Sequence, residues 1–564
     1  MQVLLVGINA KFVHTNLALD YLSNACPCPV TALEFTINES ERAVLAKIAA
    51  QKADLVGFSC YIWNWDLIIR LTENLRKIQP EVKILLGGPE VSYDSEDILK
   101  QYPWIDFIIR GPGELSWQEL LTHWPDFSQV PSLVWRSDGV LKSNPLSSDD
   151  WEQRTSPFAS SLQRDYSGKN IYYETSRGCP YNCSYCLSGE DKLRFLPLDR
   201  VKKELMLISE SGAKQIKFVD RTFNCRSDRA VAVWNYIMAL EHRGMNYHFE
   251  ISADLLNEEM LQALAKAPFG LFNLEIGIQT VHEATLKAVH RRSRLEKAFY
   301  WIKRILQETK VHVHLDLIIG LPYENYEQFQ VSFNEVVGLA PHKLQIGFLK
   351  LLRGSRIRRE AELYDYQYTS YPPYEILSNR FITYEEISFL HNLEHVFDKY
   401  YNSGRFYYIL KYLAEFSGES YFSFYAQLTA YWQENDYFSR SVGLEECYSI
   451  LADFIRLKYN GLASAGLEVL RFDYLLHKNQ GNLPAWCGKV YNKADKARHR
   501  SLLSENTEWH SALPELAGLS WKEQLQKSHS DLFQVNVLDG FKQENCLVLF
   551  YYGEEPAFCL LSEV

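Results

Sequence analysis

Two series of short apolar runs, separated by amphipathic stretches, constrain this chain more than any other feature. In residues 1–140 the runs are Val3-Leu-Leu-Val-Gly7, Val30-Thr-Ala-Leu-Glu-Phe35, Asp54-Leu-Val-Gly-Phe-Ser59, Val82-Lys-Ile-Leu-Leu-Gly87 and Ile105-Asp-Phe-Ile-Ile109. The second series is Ile171 to Thr175, Gln215 to Val219, Tyr247 to Ile251, Leu271 to Ile276, His312 to Ile318 and Leu344 to Phe348. Parallel strands need a long crossover, usually a helix, so this alternation predicts a multidomain α/β chain with two parallel sheets. The first series, residues 1–140, reads as a doubly wound, Rossmann-like (flavodoxin-like) domain. Ligands of such sheets bind outside the carboxyl ends of the strands. Those ends carry Ser59, Gly87-Gly88-Pro89-Glu90 and Gly111-Pro-Gly113-Glu114, residues that let a bulky ligand approach the backbone.

Punctuation in the sequence divides the rest. Ser137-Asp-Gly139, Asn144-Pro145 and Ser147-Ser-Asp-Asp150 mark a turn followed by a linker over 141–168. The second βα series then occupies 169–358. In 359–564, Tyr371-Pro-Pro-Tyr374 marks a break, and Phe389–Phe397 and Tyr407–Leu413 carry helical periodicity. Phe533–Val537 and Cys546–Tyr551, around Asp539-Gly540, read as strands of a small terminal α+β unit. No chemistry is recognisable in this mainly helical region.

The chemistry concentrates in Glu174-Thr-Ser-Arg-Gly-Cys179-Pro-Tyr-Asn-Cys183-Ser-Tyr-Cys186, where the first strand of the second series runs into a three-cysteine loop. Three thiolates so close together suit three corners of a 4Fe-4S cluster and leave the fourth iron open. A structural zinc site is the alternative, but zinc wants a closed set of four ligands, and no second Cys-x-x-Cys or His pair lies nearby. The 11 cysteines then fit a reducing compartment better than a disulfide framework. With no leader-like start and no apolar run of membrane-spanning length, the chain is expected to be cytoplasmic, without a transmembrane segment. A net charge of −11 argues against a nucleic-acid partner and favours a small-molecule or lipid-like substrate.

The Cys-x3-Cys-x2-Cys spacing, with Tyr185 before the last cysteine, resembles the signature of the radical S-adenosylmethionine (radical SAM) enzymes. That resemblance implies a partial (β/α)6 barrel, with Cys179, Cys183 and Cys186 holding the cluster. It also implies reductive cleavage of S-adenosylmethionine to a 5'-deoxyadenosyl radical, oxygen sensitivity, and a reductase, flavodoxin or ferredoxin as electron donor. Further segments match by position. Glu250 and Ser252 end the third strand near the expected ribose. Glu275-Ile-Gly277-Ile-Gln279-Thr280 matches a pattern beside the methionyl end, and Arg291 matches a carboxylate contact. Asp316-Leu-Ile-Ile-Gly320-Leu-Pro322 matches a strand end beside the adenine. In Phe218-Val-Asp220-Arg-Thr-Phe223, Arg221 replaces the second acid of a family Asp-Asp-x-Phe segment, so no role is carried over there. His312 and His314 share a strand face with Asp316, without a role that the resemblance assigns.

The glycine and serine positions of residues 1–140 resemble the cobalamin (vitamin B12)-binding domain that precedes many radical SAM domains. The resemblance implies cobalamin contacts at Ser59, Gly87, Gly88, Gly111, Gly113 and Glu114. The Asp-x-His-x-x-Gly motif that supplies an axial histidine elsewhere is missing, and His14, in the first loop, is the candidate that faces the corrin. Tyr61, Trp63 and Trp65 are placed to wall it. An empty scaffold is the alternative for this domain. The implied activity is cobalamin-dependent methyl transfer to an unactivated carbon. The alternatives are a cyclase, a ring-contracting or rearranging enzyme, and a non-catalytic cluster or cobalamin sensor.

Overall fold

The computed structural model describes residues 1–564 apart from 138, 148–150, 152–153, 159–165, 190–191, 241–243, 479–482, 490–491, 554–555 and 562–564. Asp138 of the expected turn and Ser148 to Asp150 of the expected linker lie outside the described residues. The chain divides into two compact units, Met1–Ile387 and Ser388–Val564.

The first unit contains both parallel sheets. Strands β1 (Val3–Asn9), β2 (Val30–Thr36), β3 (Leu55–Ser59), β4 (Lys83–Gly87), β5 (Phe107–Ile109), β6 (Leu133–Ser137) and β7 (Val140–Ser143) form one sheet in the order β2-β1-β3-β4-β5-β6-β7. The first five are parallel, and the strand order reverses between β1 and β3, which opens the crevice where doubly wound sheets hold ligands. Alternate residues of each strand feed opposite faces. Leu4, Val6, Val56, Phe58, Ile84 and Leu86 belong to one buried cluster. Val3, Leu5, Leu55, Leu85, Phe107 and Trp117 belong to another. Burial on both faces is why these strands read as unbroken apolar runs. The antiparallel pair β6 and β7 is an addition that sequence reading missed. Val140–Ser143 is an edge strand with mostly exposed side chains, so it carries no apolar signal.

The second sheet comprises β8 (Asn170–Tyr173), β11 (Gln215–Phe218), β12 (Asn246–Ile251), β13 (Phe272–Gln279), β14 (His312–Ile319) and β15 (Lys343–Phe348). All are parallel, in the order β15-β14-β13-β12-β11-β8. A two-residue ribbon, β9 (Ser176–Arg177) with β10 (Arg194–Phe195), follows β8. Val313, Leu315, Leu317 and Ile319 are at most 1% exposed, so the apolar half of β14 packs away from the half that carries His312, His314 and Asp316. This is the open six-strand barrel architecture, with a polar concave face. After β15 the chain turns back as a strap through helix Arg356–Arg359, β16 (Gln367–Tyr368) and β17 (Ile376–Ser378). Arg353 of the strap binds Glu90 at 3.0 Å and Asp94 at 2.9 Å, and the Tyr374 hydroxyl donates to Glu90. The strap therefore reaches the ligand end of the first sheet.

The second unit is mainly helical and ends in an antiparallel sheet of β18 (Ser528–Asn536), β19 (Lys542–Tyr552) and β20 (Pro556–Leu561). Its helix Tyr407–Phe416 is capped from a distance: Asp473 accepts from the Tyr408 and Ile409 amides at 3.2 and 2.8 Å. Among the described residues no helix is long and apolar enough to cross a membrane.

Candidate active site

The three-cysteine loop is built from its foot upward. Ribbon β9–β10 pairs Arg177 with Arg194 and Ser176 with Phe195, closing residues 178–193 into a loop. Asp220, just past β11, pins the turn that enters it. It accepts from the Thr175 amide at 2.9 Å, the Thr175 hydroxyl at 2.6 Å and the Ser176 hydroxyl at 2.6 Å. Two backbone bonds hold the far side: Ser184 donates to the Val289 carbonyl, and Ile357 of the strap donates to the Ser184 carbonyl, each at 2.9 Å.

Each sulfur has a hydrogen-bonding neighbour. Cys179 Sγ lies 3.4 Å from the Thr222 hydroxyl, the Ser188 amide donates to Cys186 Sγ at 3.4 Å, and Arg291 Nη1 donates to Cys183 Sγ at 3.8 Å. Hydrogen bonds of this kind suit thiolates, and they tune cysteine-held iron-sulfur clusters. Thiolates on a cuboidal cluster sit on separate iron atoms and need not meet at one point. Among the described residues no three His, Cys, Asp or Glu side chains do so.

The concave face of the sheet continues the site. Arg291 is half-buried, with its Nε enclosed. Its Nη1 also donates to the Tyr185 hydroxyl at 3.2 Å and its Nη2 to the Gly277 carbonyl, while Nε has no partner. Gln279 follows a bulge in β13, has a φ of 71°, and keeps its side-chain oxygen buried without a donor. It lies across Gly277, where any Cβ would run into the Gln279 amide nitrogen. Glu275 accepts from His248 at 2.7 Å and from Lys217 at 3.5 Å. Burial opposes its ionisation, but His248 and Lys217 outweigh burial and hold the carboxyl at about 2.

Asp316, with His314 at 3.3 Å, behaves oppositely. Burial, reinforced by the Glu275 and Glu250 charges, raises it well above its ordinary value. Lys217 on β11 and Arg291 beyond β13 oppose that rise. Burial likewise lowers His312 and His314 to about 4. Glu250 faces Arg221 at 3.8 Å. Ser252 is held through its own backbone, because Asn224 donates to its carbonyl and accepts from its amide, both at 2.9 Å.

At the ligand end of the first sheet, the Ser59 hydroxyl accepts from Asn16 at 3.2 Å. Gly88 has a φ of 111°, and a Cβ there would meet the Cys60 carbonyl oxygen at 2.5 Å. The Cβ direction of Gly111 is empty to 4 Å, and beyond Gly87 the nearest atom is the Ile109 carbonyl oxygen at 3.9 Å. Tyr61 and Trp63 stack at 4.4 Å with planes 6° apart, and Trp63 is 45% exposed. Open backbone beside a flat aromatic pair fits a large planar ligand such as a corrin. Trp65, by contrast, is buried in the domain core.

Glu114 is engaged elsewhere. It is buried and bound by Arg177, whose Nη1 donates at 3.3 Å, and by Arg154 at 3.4 Å. Burial opposes its charge, yet these arginines keep the carboxyl below its ordinary value. Arg177 also holds Glu174 at 2.9 Å and lies over the Trp151 ring. The Gly-x-Gly-Glu loop is thereby fastened to the foot of the cysteine loop. His14 bridges to Asn170 of β8, with its ring edge-on to Tyr172 at 5.6 Å.

Sequence reading named Cys179, Cys183, Cys186, Tyr185, Gln279 and Arg291, among which the structure sets Arg291 against Cys183 and Tyr185 and, across Gly277, near Gln279. It missed Asp220, Thr222 and Asn224, which lie in or just beyond the very segment where Arg221 departs from the family pattern, and it missed Lys217 and His248. Their only signal was position: each faces inward on a strand or follows a strand end.

Three family descriptions match consecutive stretches: "B12 binding domain" over 3–121, "Radical SAM superfamily" over 173–336, and "Protein of unknown function (DUF4080)" over 362–550. A 2-(S-pantetheinyl)-carbapenam-3-carboxylate methyltransferase of Streptantibioticus cattleyicolor is 22% identical over 321 residues, covering 51% of this chain and 46% of the relative. The cobalamin-dependent radical SAM methyltransferase TokK of Streptomyces tokunonensis is 21% identical, covering 57% and 50%. The chain thus spans about half the length of these curated relatives. Among solved structures, the cobalamin-dependent S-adenosylmethionine radical enzyme OxsB superposes with a TM-score of 0.59 at 15% identity, covering 84% of this chain and 79% of its own; the two share a fold.

Proposed function

We propose that this chain, which carries a B12 binding domain followed by a radical SAM domain, is a cobalamin-dependent radical SAM enzyme that methylates an unactivated carbon of a small-molecule or lipid-like substrate in a reducing compartment. One observation carries the reading. Arg291 reaches the Cys183 sulfur, the Tyr185 hydroxyl and the Gly277 carbonyl at once, with Nε left unpaired beside the unpaired oxygen-bearing Gln279 strand end. A carboxylate placed there meets a guanidinium already anchored to the cysteine loop.

In this reading Cys179, Cys183 and Cys186 hold the 4Fe-4S cluster. Tyr185, Glu250, Ser252, Glu275, Gln279, Arg291 and Asp316 contact S-adenosylmethionine, and Ser59, Gly87, Gly88, Gly111 and Gly113 border cobalamin. When bound, the cluster supplies the electron that cleaves S-adenosylmethionine, and cobalamin carries the methyl group. The protein binds, orients and shields. Glu275, kept ionised by His248 and Lys217, accepts from an ammonium group. Asp316, whose carboxyl burial beside Glu275 and Glu250 raises well above its ordinary value, is placed to hydrogen-bond a ring nitrogen. Glu114 acts through Arg177, holding the cobalamin loop to the foot of the cysteine loop, and His14 closes the first loop over β8.

The experiment is anaerobic reconstitution, with iron, sulfide and corrin read by absorbance, followed by 5'-deoxyadenosine release under reductant. Retained corrin, cleavage that disappears in Cys179→Ala, and a product heavier by one methyl group are expected. Cleavage with no mass gain would point to a cyclase or rearranging enzyme. Cofactor binding without cleavage would point to a sensor, and zinc in place of iron would sink the reading.

A further inference from the structure

The cysteine loop has a second side. Pro180 and Asn182 are exposed. There Asn182 and Gly189 of the loop, with Arg356, Arg359 and Glu360 of the strap, line an open cleft of ≈ 620 Å³. Arg353-Gly-Ser-Arg-Ile-Arg-Arg359 is a basic segment in a chain of net charge −11. Two of its arginines are engaged inside the fold: Arg353 by Glu90 and Asp94, and Arg358 by the Leu351 carbonyl and the Tyr374 ring. The other two border the cleft. Arg356 shares its charge with Glu360 at 2.6 Å, and Arg359, exposed, donates to the Gly354 carbonyl at 2.6 Å. Arg221, with a side chain 51% exposed, donates to Ser188 of the same loop at 3.1 Å and meets Glu250 at 3.8 Å, so its charge is shared with the barrel side. The Ile357 amide, bonded to the Ser184 carbonyl between two of the cysteines, fixes this basic segment to the loop.

We propose that this cleft is the docking face for a small acidic protein that carries a single low-potential electron, of the flavodoxin type. The inference rests on the radical-enzyme reading above, since each reductive cleavage consumes one electron that must come from outside. The step balances simply: the carrier is oxidised by one electron, the cluster is reduced by one, and no bond on the enzyme forms or breaks. Electron tunnelling falls steeply with distance, and the concave side of the loop faces the S-adenosylmethionine site, so the carrier approaches from the solvent side. Guanidinium forks recognise carboxylates, and a basic rim on an acidic protein steers an acidic partner to that one place while the rest of the surface repels it.

The test uses reconstituted holoenzyme, a purified bacterial flavodoxin as the probe, and dithionite as a small reductant that needs no docking face. The double variant Arg356→Glu, Arg359→Glu is expected to weaken flavodoxin binding by about tenfold or more, read by titration calorimetry, and to remove its salt dependence. Flavodoxin-driven 5'-deoxyadenosine release should fall in parallel, while dithionite-driven release is unchanged. The milder Arg356→Gln, Arg359→Gln pair should show a smaller loss in the same direction, which separates lost charge from misfolding. Unaltered flavodoxin affinity and rate in the charge-reversed variant would overturn the docking face. A wild-type enzyme that dithionite reduces but flavodoxin does not bind would overturn the acidic carrier. No cleavage with dithionite in the wild type would instead remove the radical-enzyme reading, and this inference with it.

Discussion

At Gly277 one hydrogen atom decides where two side chains lie. A methyl group there would strike the far end of the Gln279 side chain and come within 3.7 Å of Arg291 Nη2. Flexible termini give way cheaply, so Gly277→Ala is expected to cost the fold under about 1.5 kcal/mol. The same variant should weaken S-adenosylmethionine binding by about tenfold, roughly 1.4 kcal/mol, read by equilibrium dialysis beside a melting curve. Glu275 makes a pH prediction. Its carboxyl sits at about 2 when folded, below its ordinary 4.5, so its contribution is present above 4.5 and drains away as pH falls toward 2. Glu275→Gln should flatten that part of the acid limb in melting temperature against pH. The three cysteines were legible because their spacing is local. Arg291, 108 positions from Cys183, was legible only through the family resemblance, and the pairing of Arg177 with Glu114, 63 positions apart, was not legible, since only the folded chain closes that separation. In the second case Glu114, expected at the cobalamin site, is held by Arg177.

Among the elements, the ribbon at the foot of the cysteine loop depends on Arg177 lying between the buried Glu114 and the half-buried Glu174. Arg177→Ala strands both charges and should destabilise the first unit by about 3–5 kcal/mol, with iron retention falling as the loop's foot loosens. In the second unit, burial raises the Asp473 cap to about 8 against the two amides it accepts. A folded value above the unfolded 3.8 means that stability is lost as pH rises from 3.8 through 8. Asp473→Asn keeps an acceptor oxygen and carries no charge, so its unfolding midpoint in denaturant should hold steady from pH 6 to 9 while the wild type declines. Strands buried on both sides were readable as apolar runs. Edge strand β7 and the short strands of the strap were not, since an element of two to four half-exposed residues leaves no periodicity to detect.

For the whole molecule, two compact units predict two separable unfolding events. Scanning calorimetry on the full chain should resolve two transitions, with cobalamin and S-adenosylmethionine shifting the one assigned to residues 1–387. The strap adds a matter of timing. Glu90, beside the Gly87-Gly88 turn, is buried and receives Arg353, 263 positions later, and Tyr374, 284 positions later. On a ribosome the first domain emerges and can fold early, but its cofactor end carries a buried carboxylate without its cation until the whole barrel has been synthesised. A nascent chain interrupted before residue 353 should therefore emerge with a folded first sheet and with Glu90 still lacking both the arginine and the tyrosine that meet it in the finished fold.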